Sequence, residues 1–156
     1  MKIKLYITVL GLAFVCNTAT SQDVLIRHAT VLTITKGTMT NTDVLVRDGI
    51  ISEIGTNLRA PRGIEEVDAT GKFLMPGIVD AHSHIALSSV NEGSSPVTAE
   101  VTMEDVTDPY DIGIYRALAG GVTTSHTMHG SANVIGGQNE TIKHRYGKTD
   151  PDDLRF

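Results

Sequence analysis

The residues best suited to chemistry are His82 and His84, with Asp80 two positions before them. They close the stretch Lys72-Phe73-Leu74-Met75-Pro76-Gly77-Ile78-Val79-Asp80-Ala81-His82-Ser83-His84. Side chains of an extended strand alternate between faces, so positions 80, 82 and 84 are expected on the same face. Two neutral imidazoles side by side can hold one divalent cation. The apolar run from Phe73 to Val79 is expected to bury the strand in a core. It would then deliver both histidines at the strand's C-terminal end, where parallel α/β folds place their active sites. A bare His-x-His pair also arises by chance, and the alternative is a pair of structural or metal-buffering histidines. The apolar strand and the Pro-Gly before the pair favour the metal site.

The other polar candidates are weaker. His126 and His129 fall at and just past a second apolar segment, as substrate contacts or as ordinary polar residues of a strand end. Gly130 and Ser131 open a Gly-rich loop, 130–138, whose backbone N–H groups could meet an anionic substrate group. Its glycines equally permit a turn beside a pocket. His28 and His144 read as surface or edge residues, and Glu92 and Asp105 as solvated acids. Asn139-Glu140-Thr141 fits a glycosylation sequon, a tripeptide common by chance.

Several elements must position these residues. Residues 23–34 are rich in Val, Ile and Thr and read as a strand. Residues 43–47 and 50–54 are apolar runs joined by Asp48-Gly49, the signature of a tight type I′ hairpin. A short strand is expected at 65–68, then a turn at 69–71. Together these give a compact sheet or sandwich over residues 22–75. The long polar stretch 87–107 lacks periodicity, which marks a functional or mobile loop. Asp108-Pro109 reads as a helix start, with Asp at the cap and Pro in the first turn. Ile112, Tyr115, Leu118 and Ala119 continue at helical spacing until Gly120-Gly121. Val122–Met128 reads as the next strand, so strand, helix and strand form a βαβ unit. A third strand is expected within 141–147.

The chain has 156 residues, 40% of them hydrophobic, enough for a real core. Its start is set apart. Lys2 and Lys4 precede an apolar run at 5–15, and Ala19 and Ser21 fit a cleavage site before Gln22, the pattern of a secretory signal peptide at 1–21. The run is too short for a comfortable membrane span, which needs ~20 residues. An uncleaved anchor and a lipoprotein at Cys16 are the alternatives, and bulky Phe14 and Val15 argue against the second. Cleavage would remove the only Cys and leave no thiol chemistry. There are 18 Asp and Glu against 13 Lys and Arg, two of them in the leader, which disfavours nucleic acid or an anionic membrane as partner. The expected location is periplasmic or secreted, with a small-molecule substrate, no stable membrane span after cleavage, and room for a homo-oligomer.

Residues 75–84 closely resemble the PGxxDxHxH signature of the amidohydrolase superfamily. Gly120-Gly121-Val122-Thr123-Thr124 resembles the segment that opens that family's second barrel strand. The hairpin and Asp68-Ala69-Thr70-Gly71-Lys72 look like its composite β-sandwich. Asn91-Glu92-Gly93 and residues 130–138 look like the imidazolonepropionase-related branch. The resemblance implies an α/β fold: an N-terminal β-sandwich followed by the start of a (β/α)8 metal-dependent hydrolase barrel, with residues 76–156 as its first two or three βα units. It implies one or two divalent metal ions, commonly zinc, with His82 and His84 as ligands and Asp80 orienting a ligating ring. It implies hydrolysis of a C–N bond in a cyclic amide, amidine or N-acyl or peptidyl substrate, using water that the ion acidifies. Ester and phosphoester hydrolysis is the less favoured chemistry. Lys143 lies too close to the histidine pair for the carboxylated lysine of binuclear relatives. A full barrel takes ~250 residues, so the remaining ligands and the catalytic residues are expected beyond Phe156, and the chain by itself is expected to be a catalytically incomplete fragment.

Overall fold

A computed structural model describes residues 23–156; the expected leader at 1–21 lies outside the described residues. The chain divides into two compact units between Met75 and Pro76. Among the described residues no helix is long and apolar enough to cross a membrane.

The first unit is one mixed sheet. β1 (Val24–Leu32) is flanked by β2 (Thr38–Arg47) on one side, and β3 (Ile50–Gly55) continues beyond β2. On its other side β1 pairs in parallel with β4 (Glu65–Asp68) and then β5 (Phe73–Leu74). The β2–β3 turn has Asp48 at φ 50° and Gly49 at φ 74°, the two left-handed residues that a type I′ turn needs. Ala29, Val31, Val44 and Ala69 form the core, with Ile26, Met39, Val46 and Leu74 packed on it. The expected sandwich has a single sheet among the described residues, and Ile50, Ile51 and Phe73 are exposed.

The second unit is a three-stranded sheet, β6 (Ile78–Ser83), β7 (Val122–Thr127) and β8 (Glu140–Lys143), in that order. β6 and β7 are parallel, joined through α1 (Ile112–Ala119), as the βαβ reading expects. Ala86, Ile114, Ile142 and Leu154 make the core, with Leu118 against it. Among the described residues the two sheets remain separate and no barrel closes.

Four expectations need correcting. β8 runs antiparallel to β7, so it opens no third βα unit. A parallel return needs a crossover, usually a helix. The 128–139 connection instead lies against the 90–103 loop, through bridges Val97↔Ile135 and Thr102↔Gln138. Second, the helix begins later than Asp108. Asp108 Oδ1 accepts the Tyr110 N–H (2.9 Å) in a local turn, and Asp111 is the cap, accepting the Gly113 N–H at 2.7 Å. Third, the run from Phe73 to Val79 does not anchor one buried strand. It is shared between β5 and β6 of different sheets, and Val79 is 63% exposed on an edge strand. Fourth, His144 is buried: its N–H donates to Thr123 O and its ring Nδ1 contacts Val122 O at 3.0 Å.

Gly77 marks the closest approach in this unit. A Cβ there would lie 2.1 Å from Thr123 Oγ1. Overpacking of this kind costs about 1–3 kcal/mol. Gly77→Ala is therefore expected to lower stability by that amount in chemical denaturation, and an unchanged midpoint would contradict the packing.

Candidate metal centre

His82 and His84 sit where β6 ends and flank Ser83, which is buried and in register with Thr127 of β7. Both histidines therefore face away from that buried side. Both are exposed, their ring centroids are 5.3 Å apart, and the rings meet edge to face. His84 Nδ1 lies 2.8 Å from Met128 O. A carbonyl oxygen can only accept, so Nδ1 carries the proton, and in the neutral ring Nε2 keeps its lone pair. A metal-ligating histidine is commonly fixed in this way through its other nitrogen. The chemistry of the pair fits two corners of a divalent metal site. Among the described residues no cluster of three or more His, Cys, Asp or Glu is gathered to hold an ion.

Asp80 takes a different position from the one the alternation suggests. The ladder slips between Asp80 and Ser83, three residues on β6 opposing two on β7. Asp80 is in register with Ser125, whose side chain is buried. Its Oδ1 accepts the His82 backbone N–H at 3.2 Å, so it braces the main chain of the motif. Among the described residues no hydrogen bond joins it to either imidazole.

His126 alternates with buried Ser125 and Thr127, which puts it on the sheet face of His82 and His84. Its Nδ1 lies 2.9 Å from Thr141 Oγ1 across the ladder. His129 is elsewhere and largely buried. Its Nε2 accepts the Glu92 N–H (2.8 Å), while Nδ1 lies 2.7 Å from Gly130 O. One nitrogen accepts and the other donates, so both are engaged by the backbone. Its own N–H donates to Asn139 Oδ1 of the sequon. Gly130 donates its N–H to Val90 O, and Ser131 is exposed.

The 88–107 stretch is tied down through many contacts. Asn133 Nδ2 meets Glu92 O, Ser95 O and Thr98 Oγ1 at 2.7, 3.1 and 2.6 Å. Glu92 and Asp105 are exposed, and Ser94's hydroxyl and N–H hold the Glu92 carboxyl below its usual range. Lys143 Nζ stands 4.5 Å from the centre of the Phe156 ring. The Met128 carbonyl is the contributor that residue types could not show, because every residue carries one.

Two parallel strands joined through a helix, with paired imidazoles at the C-terminal end of the first, match the place where parallel α/β folds carry their active sites. The relatives agree on the family. No family model matches the chain. It is 38% identical over 120 residues to amidohydrolase tasK of Hapsidospora irregularis, covering 69% of this chain and 12% of that one. It is 30% identical over 128 residues to the imidazolonepropionase of Salinispora arenicola, covering 76% of this chain and 31% of that one. Among solved structures, an amidohydrolase from Thermotoga maritima superposes with a TM-score of 0.76 at 43% identity, covering 85% of this chain and 36% of that one. The chain is a member of the amidohydrolase superfamily over the part it spans, and it spans less than a third of the length of these two curated relatives. The homologues are hydrolases of C–N bonds.

Proposed function

We propose that the protein is a metal-dependent hydrolase of a C–N bond in a small cyclic amide or related substrate, with His82 and His84 as two of its metal ligands. The observation that carries this reading is the His84 Nδ1–H bond to Met128 O, which leaves Nε2 to bind a cation. Relatives named dihydropyrimidinase and dihydroorotase support the cyclic amide. A bound divalent ion, zinc in this reading, supplies Lewis acidity toward a carbonyl oxygen and makes water more acidic. The chain's own part is to orient. Met128 sets the His84 tautomer, Asp80 braces the His82 backbone, and the His129–Glu92 and Asn133 contacts hold the neighbouring loops. Barrel architecture and export to the periplasm or medium belong to the same reading.

The test uses the complete protein, stripped with a chelator and reloaded with Zn2+, Mn2+ or Co2+. A panel of five- and six-membered cyclic ureides, imides and imidazolones, N-acyl amino acids and simple esters is then assayed. Hydrolysis of a cyclic amide that disappears with the metal and returns on reloading is the expected result. Turnover that is indifferent to chelation, or confined to esters, would sink the proposal. N-terminal sequencing of the exported protein should begin at Gln22, and a retained Met1 would contradict export with cleavage.

A further inference from the structure

Asp111 does more than cap α1. Its Oδ1 accepts the Gly113 N–H at 2.7 Å, while its Oδ2 accepts the Ala86 N–H, also at 2.7 Å. Gly113 leaves the room for this carboxylate, since a Cβ there would lie 2.9 Å from Oδ2. Ala86 stands two residues past His84, with φ at 58°. L-residues disfavour this left-handed region, and alanine has no polar side chain to offset the penalty. Both backbone groups of Ala86 are taken by the turn before the helix: its N–H by Asp111, and its carbonyl by the Asp108 N–H at 2.8 Å. Its methyl is fully buried beside Ile114, Ile142 and Leu154. The chain thus leaves the strand end through a strained residue whose N–H the Asp111 carboxylate holds, alongside the Asp108 N–H on its carbonyl and the packing of its methyl.

We propose that Asp111 is a positioning residue, which by pinning Ala86 in the left-handed conformation fixes the direction in which His84 presents Nε2. Through it the start of α1 is coupled to the metal-ligand pair. The proposal rests on the metal reading above.

The experiment compares the complete wild-type protein with Asp111→Ala, Asp111→Ala/Ala86→Gly and Leu118→Ala. Each is titrated with Zn2+ against a competing chelator, and each is melted. The His84 ring 15N shifts of the metal-free proteins report the tautomer. Loss of a group that orients a ligand typically costs ~10–100-fold in metal affinity, and that loss is expected for Asp111→Ala. Leu118→Ala, a packing control, should lower the melting temperature with affinity within about threefold of wild type. Glycine adopts positive φ without penalty, so Ala86→Gly should restore most of the affinity lost by Asp111→Ala. It should do so while lowering stability further, because a buried methyl is removed. A purely structural Asp111 would move stability and affinity down together. The His84 Nδ1–H signature is expected to weaken in Asp111→Ala and to recover in the double variant.

If Asp111→Ala binds Zn2+ within threefold of wild type, or if Ala86→Gly leaves its loss unrepaired, the proposal falls while the metal reading stands. If wild type takes up no stoichiometric metal, the metal reading falls. Unchanged His84 shifts in Asp111→Ala would then overturn the positioning role on their own.

Discussion

Replacing His84 with alanine in the complete protein is expected to abolish the metal binding and the hydrolysis proposed above. The substitution removes a proposed ligand atom, so the loss should exceed the ~10–100-fold that follows removal of a group that only orients a ligand. His82→Ala should behave alike, since in the proposed reading the paired rings, 5.3 Å apart, would offer one nitrogen each to the same ion. Both side chains are exposed, so neither truncation leaves a cavity. Stability of the metal-free protein should therefore stay within about 0.5 kcal/mol of wild type. That separation makes the test sharp. Metal analysis after gel filtration reads the stoichiometry, a chelator titration reads the affinity, and denaturation of the stripped protein reads the fold. Full metal content with normal turnover in both variants would end the ligand assignment.

What the residues made legible was the pairing of His82 with His84, the Asp48-Gly49 hairpin, and the strand–helix–strand step toward Val122. Each is a local pattern whose physics lies in the side chains themselves. What stayed hidden depended on partners distant in sequence or on the backbone. Asp108 and Asp111 are chemically equal as caps, and only the position of Ala86 gives the second aspartate the further task. The direction of β8 is set by where the 128–139 loop finds its hydrogen bonds, not by the composition of 140–143. Alternation placed Asp80 beside the imidazoles, and the slip between Asp80 and Ser83 moved it, since one extra residue reverses the facing of everything on one side of it. By type His129 was open as a substrate contact or an ordinary polar residue, and the Glu92 N–H and Gly130 carbonyl occupy both its nitrogens.

Asp43→Ala should be among the most damaging substitutions in the first unit, by about 3 kcal/mol or more. β1 bulges at His28, which has φ at 57°, and the ladder to β2 slips between Ile26 and Ala29. A bulge leaves a backbone N–H without its ladder acceptor. Asp43 supplies one. Its Oδ1 accepts the His28 N–H at 3.0 Å, and Oδ2 accepts the Leu58 N–H and Arg27 Nη1, both at 3.0 Å. The residue is 1% exposed. Burial alone pushes its carboxyl up, yet the two amides and the Arg27 guanidinium outweigh this and hold it below the usual carboxylate range. A depressed folded pKa contributes stability above the unfolded value of ~3.9 and loses it as pH falls through the folded pKa. Wild type should therefore weaken progressively below about pH 4. Asp43→Asn keeps one acceptor oxygen but turns the other side into a donor facing donors, so it should be destabilised near neutral pH and show a flatter profile in acid. Urea unfolding of the complete protein from pH 7 to pH 2.5 checks both. An Asn variant as stable as wild type at pH 7, or one with the same acid slope, would show that the bulge is held by something other than this carboxylate.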